Sequence, residues 1–173
     1  MRGLTLLELL TGIAIASLLL LLSVPLYRSW IAEMELRDRV DALVAGMAFA
    51  RAEAITAQRR VNLCPSADGR YCAEGGRWEE GFILFVDYNQ DGERDDDEPL
   101  VRVVTAAHPG ISVRGNKPVS DYVSYTGLGN TRMINGALQM GTFTVCRAGS
   151  NAVDVVLANG GRVRVNRTKA ACP

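Results

Sequence analysis

Apolar residues fill the first third of the chain in two different patterns. From Leu9 to Tyr27 they run on for 19 residues without a charge, close to the ~20 a helix needs to cross a bilayer. From Leu36 onward they recur at spacings of three and four, as Leu36, Val40, Leu43, Met47, Ala50 and Ala54. That is the single stripe of an amphipathic helix. Glu33, Glu35, Arg37, Asp38, Arg39, Asp41, Arg51 and Glu53 fall mostly elsewhere on the wheel. The pattern predicts one long helix from about Leu4 to about Gln58, its first half in apolar surroundings and its second half laid on a soluble domain. Pro25 lies inside it and predicts a kink, because proline lacks an N–H and its ring crowds the preceding turn.

Past Gln58 the period shortens. Strands are expected at Arg60–Leu63, Phe82–Asp87, Leu100–Thr105, Ile111–Arg114, Tyr122–Tyr125, Gly141–Cys146, Ala152–Leu157 and Arg162–Val165. Turn signals separate them: Ala67-Asp68-Gly69, Asn89-Gln90-Asp91-Gly92, His108-Pro109-Gly110 and Asn159-Gly160-Gly161. Many short strands with glycine-rich turns predict two packed sheets, one face covered by the amphipathic helix. The fold class is therefore α+β.

Composition narrows the chemistry. The 19 basic and 19 acidic residues cancel, so any attraction to nucleic acid must come from local patches. Only 6% of residues are aromatic, too few for a base-stacking surface. The four cysteines, Cys64, Cys72, Cys146 and Cys172, lack the close pairs of a metal site and allow three disulfide connectivities. Proximity in sequence favours 64–72 and 146–172, the second clamping the C-terminal hairpin. Such bridges imply an oxidising compartment.

The start of the chain sets a puzzle. Glu8 stands at the mouth of the oily run, where a carboxylate near lipid is costly unless neutralised. A secretory signal or a plain membrane anchor leaves it unexplained. The stretch Gly3-Leu4-Thr5-Leu6-Leu7-Glu8, preceded by Arg2, resembles the type IV prepilin motif, with leucine where the family usually has phenylalanine. The resemblance implies that a prepilin peptidase cuts between Gly3 and Leu4 and that the new N-terminus is methylated. It also implies that Glu8 pairs with the freed amine of a neighbouring subunit during filament assembly.

A second resemblance covers the soluble part. Trp78-Glu79-Glu80-Gly81-Phe82 leads into Phe85-Val86-Asp87-Tyr88-Asn89, then Asp91-Gly92 and Glu98-Pro99-Leu100. Tyr125-Thr126-Gly127, Gly141-Thr142-Phe143-Thr144-Val145-Cys146 and Gly161-Arg162-Val163-Arg164 follow. This order is similar to the GspH/FimT family of minor pilins and pseudopilins. The implied organisation is a leader over residues 1–3, a transmembrane or filament-core helix half over 4–27, an amphipathic half over 28–59 and a β-sandwich-like domain over 60–173. The implied protein is a non-enzymatic subunit of a type IV pilus or type II secretion system. Its implied partners are major and minor pilins or pseudopilins, the prepilin peptidase and an inner-membrane assembly platform. It would sit in the bacterial inner membrane with its globular domain periplasmic, and then in the filament.

Two other constellations invite chemistry. Asp87, Asn89, Asp91, Gly92 and Glu98 match the spacing of a calcium loop. Strand-like runs flank them instead of helices, Pro99 follows the last one, and Asn and Asp build turns without metal. The segment reads as a solvated hairpin loop, and no metal or cofactor is expected. In the last hairpin, Arg162 and Arg164 alternate with Val163 and Val165, which sends the arginines to one face and the valines to the core. Arginines two apart on a strand lie roughly 6.6 Å from each other, a spacing comparable to that of neighbouring phosphates. Arg167 and Lys169 are expected to continue the patch. Gly161-Arg162-Val163-Arg164 also matches the GRxR pattern that the resemblance links to DNA binding, which makes DNA the alternative partner; charge guarding a sheet edge is the plainer account. Enzymatic constellations fail: His108 is the only histidine and lies in a turn, and disulfides would consume the thiols. Trp30 reads as an interfacial anchor and Trp78 as a core or turn residue.

Overall fold

The computed structural model describes residues 6–172, and at helix positions 21–26 and 28 the backbone alone. Gly3 and Leu4 lie outside the described residues, as does the side chain of Pro25. One helix, α1 (Leu6–Ala57), is followed by eight strands: β1 (Arg60–Pro65), β2 (Phe82–Asp87), β3 (Leu100–Val104), β4 (Ile111–Gly115), β5 (Val123–Tyr125), β6 (Gly141–Arg147), β7 (Asn151–Leu157) and β8 (Val163–Ala171). The chain divides into two units, Met1–Met34 and Glu35–Pro173.

In the first unit, every described side chain from 6 to 20 is exposed. Leu6, Leu7, Leu9, Leu10, Ile13 and Ile15 stand out among them. Among the described residues no helix is long and apolar enough to cross a membrane; positions 21–26, whose side chains are not described, fall inside the span expected from the sequence.

The second unit is two antiparallel four-stranded sheets, ordered β3-β2-β1-β5 and β4-β6-β7-β8. The stripe Leu36, Val40, Leu43, Met47, Ala50 and Ala54 is buried and shares one core cluster with residues of both sheets. To the same cluster the first sheet contributes Val61, Leu63, Phe82 and Leu84, and the second Phe143, Val145, Val155 and Leu157. These alternate with outward residues, as period two requires. Gly46 belongs to this contact, because a Cβ there would stand 2.7 Å from the Phe82 ring.

Trp78 joins the layers. It sits fully buried in a 3-10 turn, Trp78–Glu80. Its ring meets Phe143 edge-on at 5.0 Å and Phe82 at 5.8 Å. Its indole N–H donates to the Ser120 carbonyl at 2.7 Å. Arg39 closes the same region from the helix, and here the wheel misleads: the residue is 5% exposed. Its guanidinium donates to the carbonyls of Trp78 and Thr105 and lies over the Phe82 ring at 5.3 Å. Burial lowers its pKa, while the charge of Glu79 raises it. Glu35 is tied to Arg147 and, at 3.7 Å, to His108.

Disulfides join Cys64 to Cys72 and Cys146 to Cys172, the pairing expected from proximity. The first pins a loop over the outer cluster Cys64, Ile83 and Phe85. The second reaches across β7, from β6 to the residue after β8, and closes a sequence separation of 26. By the loop-entropy account, losing it costs about 3.5 kcal/mol. The Cys146→Ala/Cys172→Ala chain should therefore show a lower denaturant midpoint, with amide protection lost first over the last residues of β8.

Candidate functional site

Glu8 lies in the first turn of α1 and is exposed. The Thr11 hydroxyl donates to its carbonyl at 3.0 Å, and the Ser17 hydroxyl to that of Ile13 at 2.8 Å. Such back-bonds consume polar side chains within the helix itself. The exposed surface of this segment is therefore mostly leucine, isoleucine and alanine, with one carboxylate at its start.

The C-terminal arginines are built by the β7–β8 hairpin. Ala158 donates its N–H to Arg162 at 2.9 Å and Gly161 donates to Ala158 at 2.8 Å, so Arg162 closes the turn and precedes the strand. Gly161 is required there. Its φ is 76°, and a Cβ would stand 2.3 Å from the Gly129 carbonyl. The buried Tyr125 hydroxyl, its pKa raised by burial, donates to Gly161 at 3.4 Å.

The register then sorts the charges. Arg164 pairs with Val156 and Asn166 with Asp154, on the outer face; Val163, Val165 and Arg167 pair with Leu157, Val155 and Val153, on the core side. Arg162 and Arg164 are exposed. Arg167 does not continue their face, and Lys169 lies beyond it where the ladder shifts register. Thr168 turns its hydroxyl to the Ala152 carbonyl at 2.9 Å in that stretch. The expectation for Val165 also fails: it is 47% exposed although it points toward the core side. β8 is the sheet's edge, and cover ends at half-buried Val163.

In the acidic segment the carboxylates hold the backbone. Asp87, 1% exposed, accepts from the N–H groups of Gln90 and Gly92 and from the Asn62 amide at 2.5, 3.2 and 2.6 Å. Burial raises its pKa and these three donors lower it, with a net upward shift. Glu98, 3% exposed, accepts from Tyr88 and Asp95 at 2.6 and 3.1 Å. Among the described residues no group of three or more His, Cys, Asp and Glu is placed to hold a metal ion. Beside this segment, past the helix end, a cleft of about 560 Å³ is lined by Gln58, Arg59, Asp87, Tyr88 and Thr126 among others. Arg59 stacks over Tyr88 at 5.5 Å there.

The fold is that of type IV pilins. It is similar to the type IV minor pilin FimU of Pseudomonas aeruginosa in two crystal forms, with TM-scores of 0.63 and 0.59 at 16% and 15% identity. Those matches cover 83% and 79% of this chain and 99% of each FimU chain. The minor pseudopilin EpsH of the Vibrio cholerae Type 2 Secretion System matches with a TM-score of 0.51 at 12% identity, over 77% of this chain and 97% of EpsH. No curated protein matches the chain. The family described as Type II transport protein GspH matches residues 39–167, from the amphipathic helix half through the arginine hairpin, and the chain belongs to that family.

Proposed function

We propose that this protein is a non-enzymatic minor subunit of a type IV pilus or of a type II secretion pseudopilus. It is inserted in the inner membrane, cut after Gly3, methylated at Leu4 and then drawn into the filament, whose assembly it supports. One observation carries the reading: α1 is a single helix whose exposed first part is apolar and whose second part is the core of a sandwich of the GspH family. A contiguous apolar surface of that kind needs lipid or other helices to cover it. Glu8 then gives direction to packing, since its charge is tolerable only where a partner's amine meets it. The prepilin peptidase and an assembly platform are the partners this route requires. Mass spectrometry of the mature chain should find an N-terminus at a methylated Leu4, and deletion should reduce piliation or secretion. A mature chain starting elsewhere, or a deletion that leaves both intact, defeats the proposal.

The exposure of Arg162 and Arg164, two residues apart at the start of β8, favours a second reading, that the subunit also holds DNA through its phosphates. Binding of this kind would be independent of sequence and steep in salt. In a gel-shift titration of the full chain in detergent, Arg162→Ala/Arg164→Ala should weaken binding and flatten its salt dependence. Equal binding by both chains, or none by either, removes DNA from the account.

A further inference from the structure

The two sheets have four edges, and the chain treats them differently. The β5 edge is capped, with Thr131 bridging Tyr125 and the Arg132 N–H donating to Ser124 at 3.1 Å. The β4 edge is met by Arg77, which bridges Arg114, and by the Glu79 carboxylate, which accepts from the Val113 N–H at 3.2 Å. Among the described residues no segment pairs with the outer edge of β3 or of β8. An open edge offers unpaired N–H and C=O groups that template another strand.

These two open edges are opposite in character. β3 reads Leu-Val-Arg-Val-Val, with Leu100 39% and Val103 46% exposed. Its one charge, Arg102, lies over the Phe49 ring at 5.6 Å. Just before it, residues 87–98 hold seven acids and one arginine, and Asp91, Glu93, Asp95, Asp96 and Asp97 are exposed. β8 is nine residues long and carries Arg164, Arg167 and Lys169 with no acid. The protein as a whole is neutral, while the exposed charge just before β3 is mainly acidic and that on β8 itself is basic.

We propose that β3 of one copy pairs with β8 of a second copy of this chain, the exposed acids before β3 meeting the cations of β8. Two β8 edges brought together would oppose cation to cation, and a β3–β3 pair would leave the acids of both copies without cations. The crossed pair satisfies backbone and charge together. Because it joins different patches, the contact is heterologous and runs head to tail between neighbouring copies. The contact lies between globular units, goes beyond the helix-mediated assembly proposed above and is tested apart from it.

The test is the association state of the full chain in detergent, followed by sedimentation across protein and salt concentrations. Association that weakens with salt is expected. Val103→Lys, Arg164→Glu/Lys169→Glu and Glu93→Lys/Asp97→Lys should each raise the apparent dissociation constant at least about tenfold. A mixture of the last two variants should associate again, because each supplies one surface with its charge reversed. Glu8→Ala should leave this association unchanged, which separates the contact from the assembly reading. A chain that stays monomeric throughout, or association indifferent to salt and to all three variants, overturns the proposal.

Discussion

Replacing Glu8 with alanine should abolish incorporation of the subunit into filaments while leaving its insertion and its folded domain intact. The substitution makes the segment more apolar, so retention in the membrane should not suffer. What it removes is the one group in the first described turns that distinguishes axial positions: the other exposed side chains there are largely leucine and isoleucine, and hydrocarbon packs as well one turn up as one turn down. An amine–carboxylate contact in apolar surroundings fixes register, and breaking such a pair costs about 3–5 kcal/mol. Immunodetection in sheared filament and membrane fractions checks it. Glu8→Gln should also fail, since it keeps the shape without the charge. Full recovery of Glu8→Ala subunits in the filament fraction would show that the carboxylate does not organise assembly.

Trp78→Ala should cost the globular unit about 4 kcal/mol, close to the whole stability of many domains. The indole is fully buried and touches aromatic rings of both sheets, so its loss opens a cavity at the layer junction. It also strands the Ser120 carbonyl, which accepts the indole N–H at 2.7 Å. Trp78→Phe retains most of the packing and loses that hydrogen bond, so it should cost less. Denaturant titration followed by tyrosine fluorescence or circular dichroism measures both. Arg39→Ala should show coupling to Trp78→Ala in a double-mutant cycle, because the guanidinium holds the carbonyl of the same tryptophan. Strict additivity would mean that the cation and the ring act independently.

The sheets were legible in the sequence because alternation and glycine turns are local. Each expected strand has its counterpart, and only β8 is seriously misjudged, running to Ala171 instead of Val165. Arg167, Thr168, Lys169 and Ala170 show no apolar alternation, and an edge strand needs none, since its partner holds it by backbone alone. The helix stripe was legible for the same reason, but Arg39 was not. Its burial depends on two carbonyls, of Trp78 and Thr105, that point at it from distant sequence. The exposure of Val165 has a similar cause: period two tells which face a residue takes, not where cover ends. Of the candidate site, Gly3, Leu4 and Glu8 were proposed from one short stretch of sequence, Gly3 to Glu8, because the motif they resemble is local. The parity of Arg167 against Arg164 could have been counted from residue numbers; an odd separation along a regular strand already places them on opposite faces. The open edges were beyond reach, because which strands end a sheet is set by neighbour order, and neighbour order is not written in any one segment.

The helix stripe also has a mechanical meaning. Leu36, Val40, Leu43, Met47, Ala50 and Ala54 recur along one face of α1 and all belong to the domain's core cluster. A pull along the axis of this segment loads those positions in parallel, as a lap joint is loaded, and cannot undo them one at a time as a zipper would. Tension delivered through the helix would thus meet its greatest resistance in the direction of traction, while the same domain would yield more readily to a sideways peel.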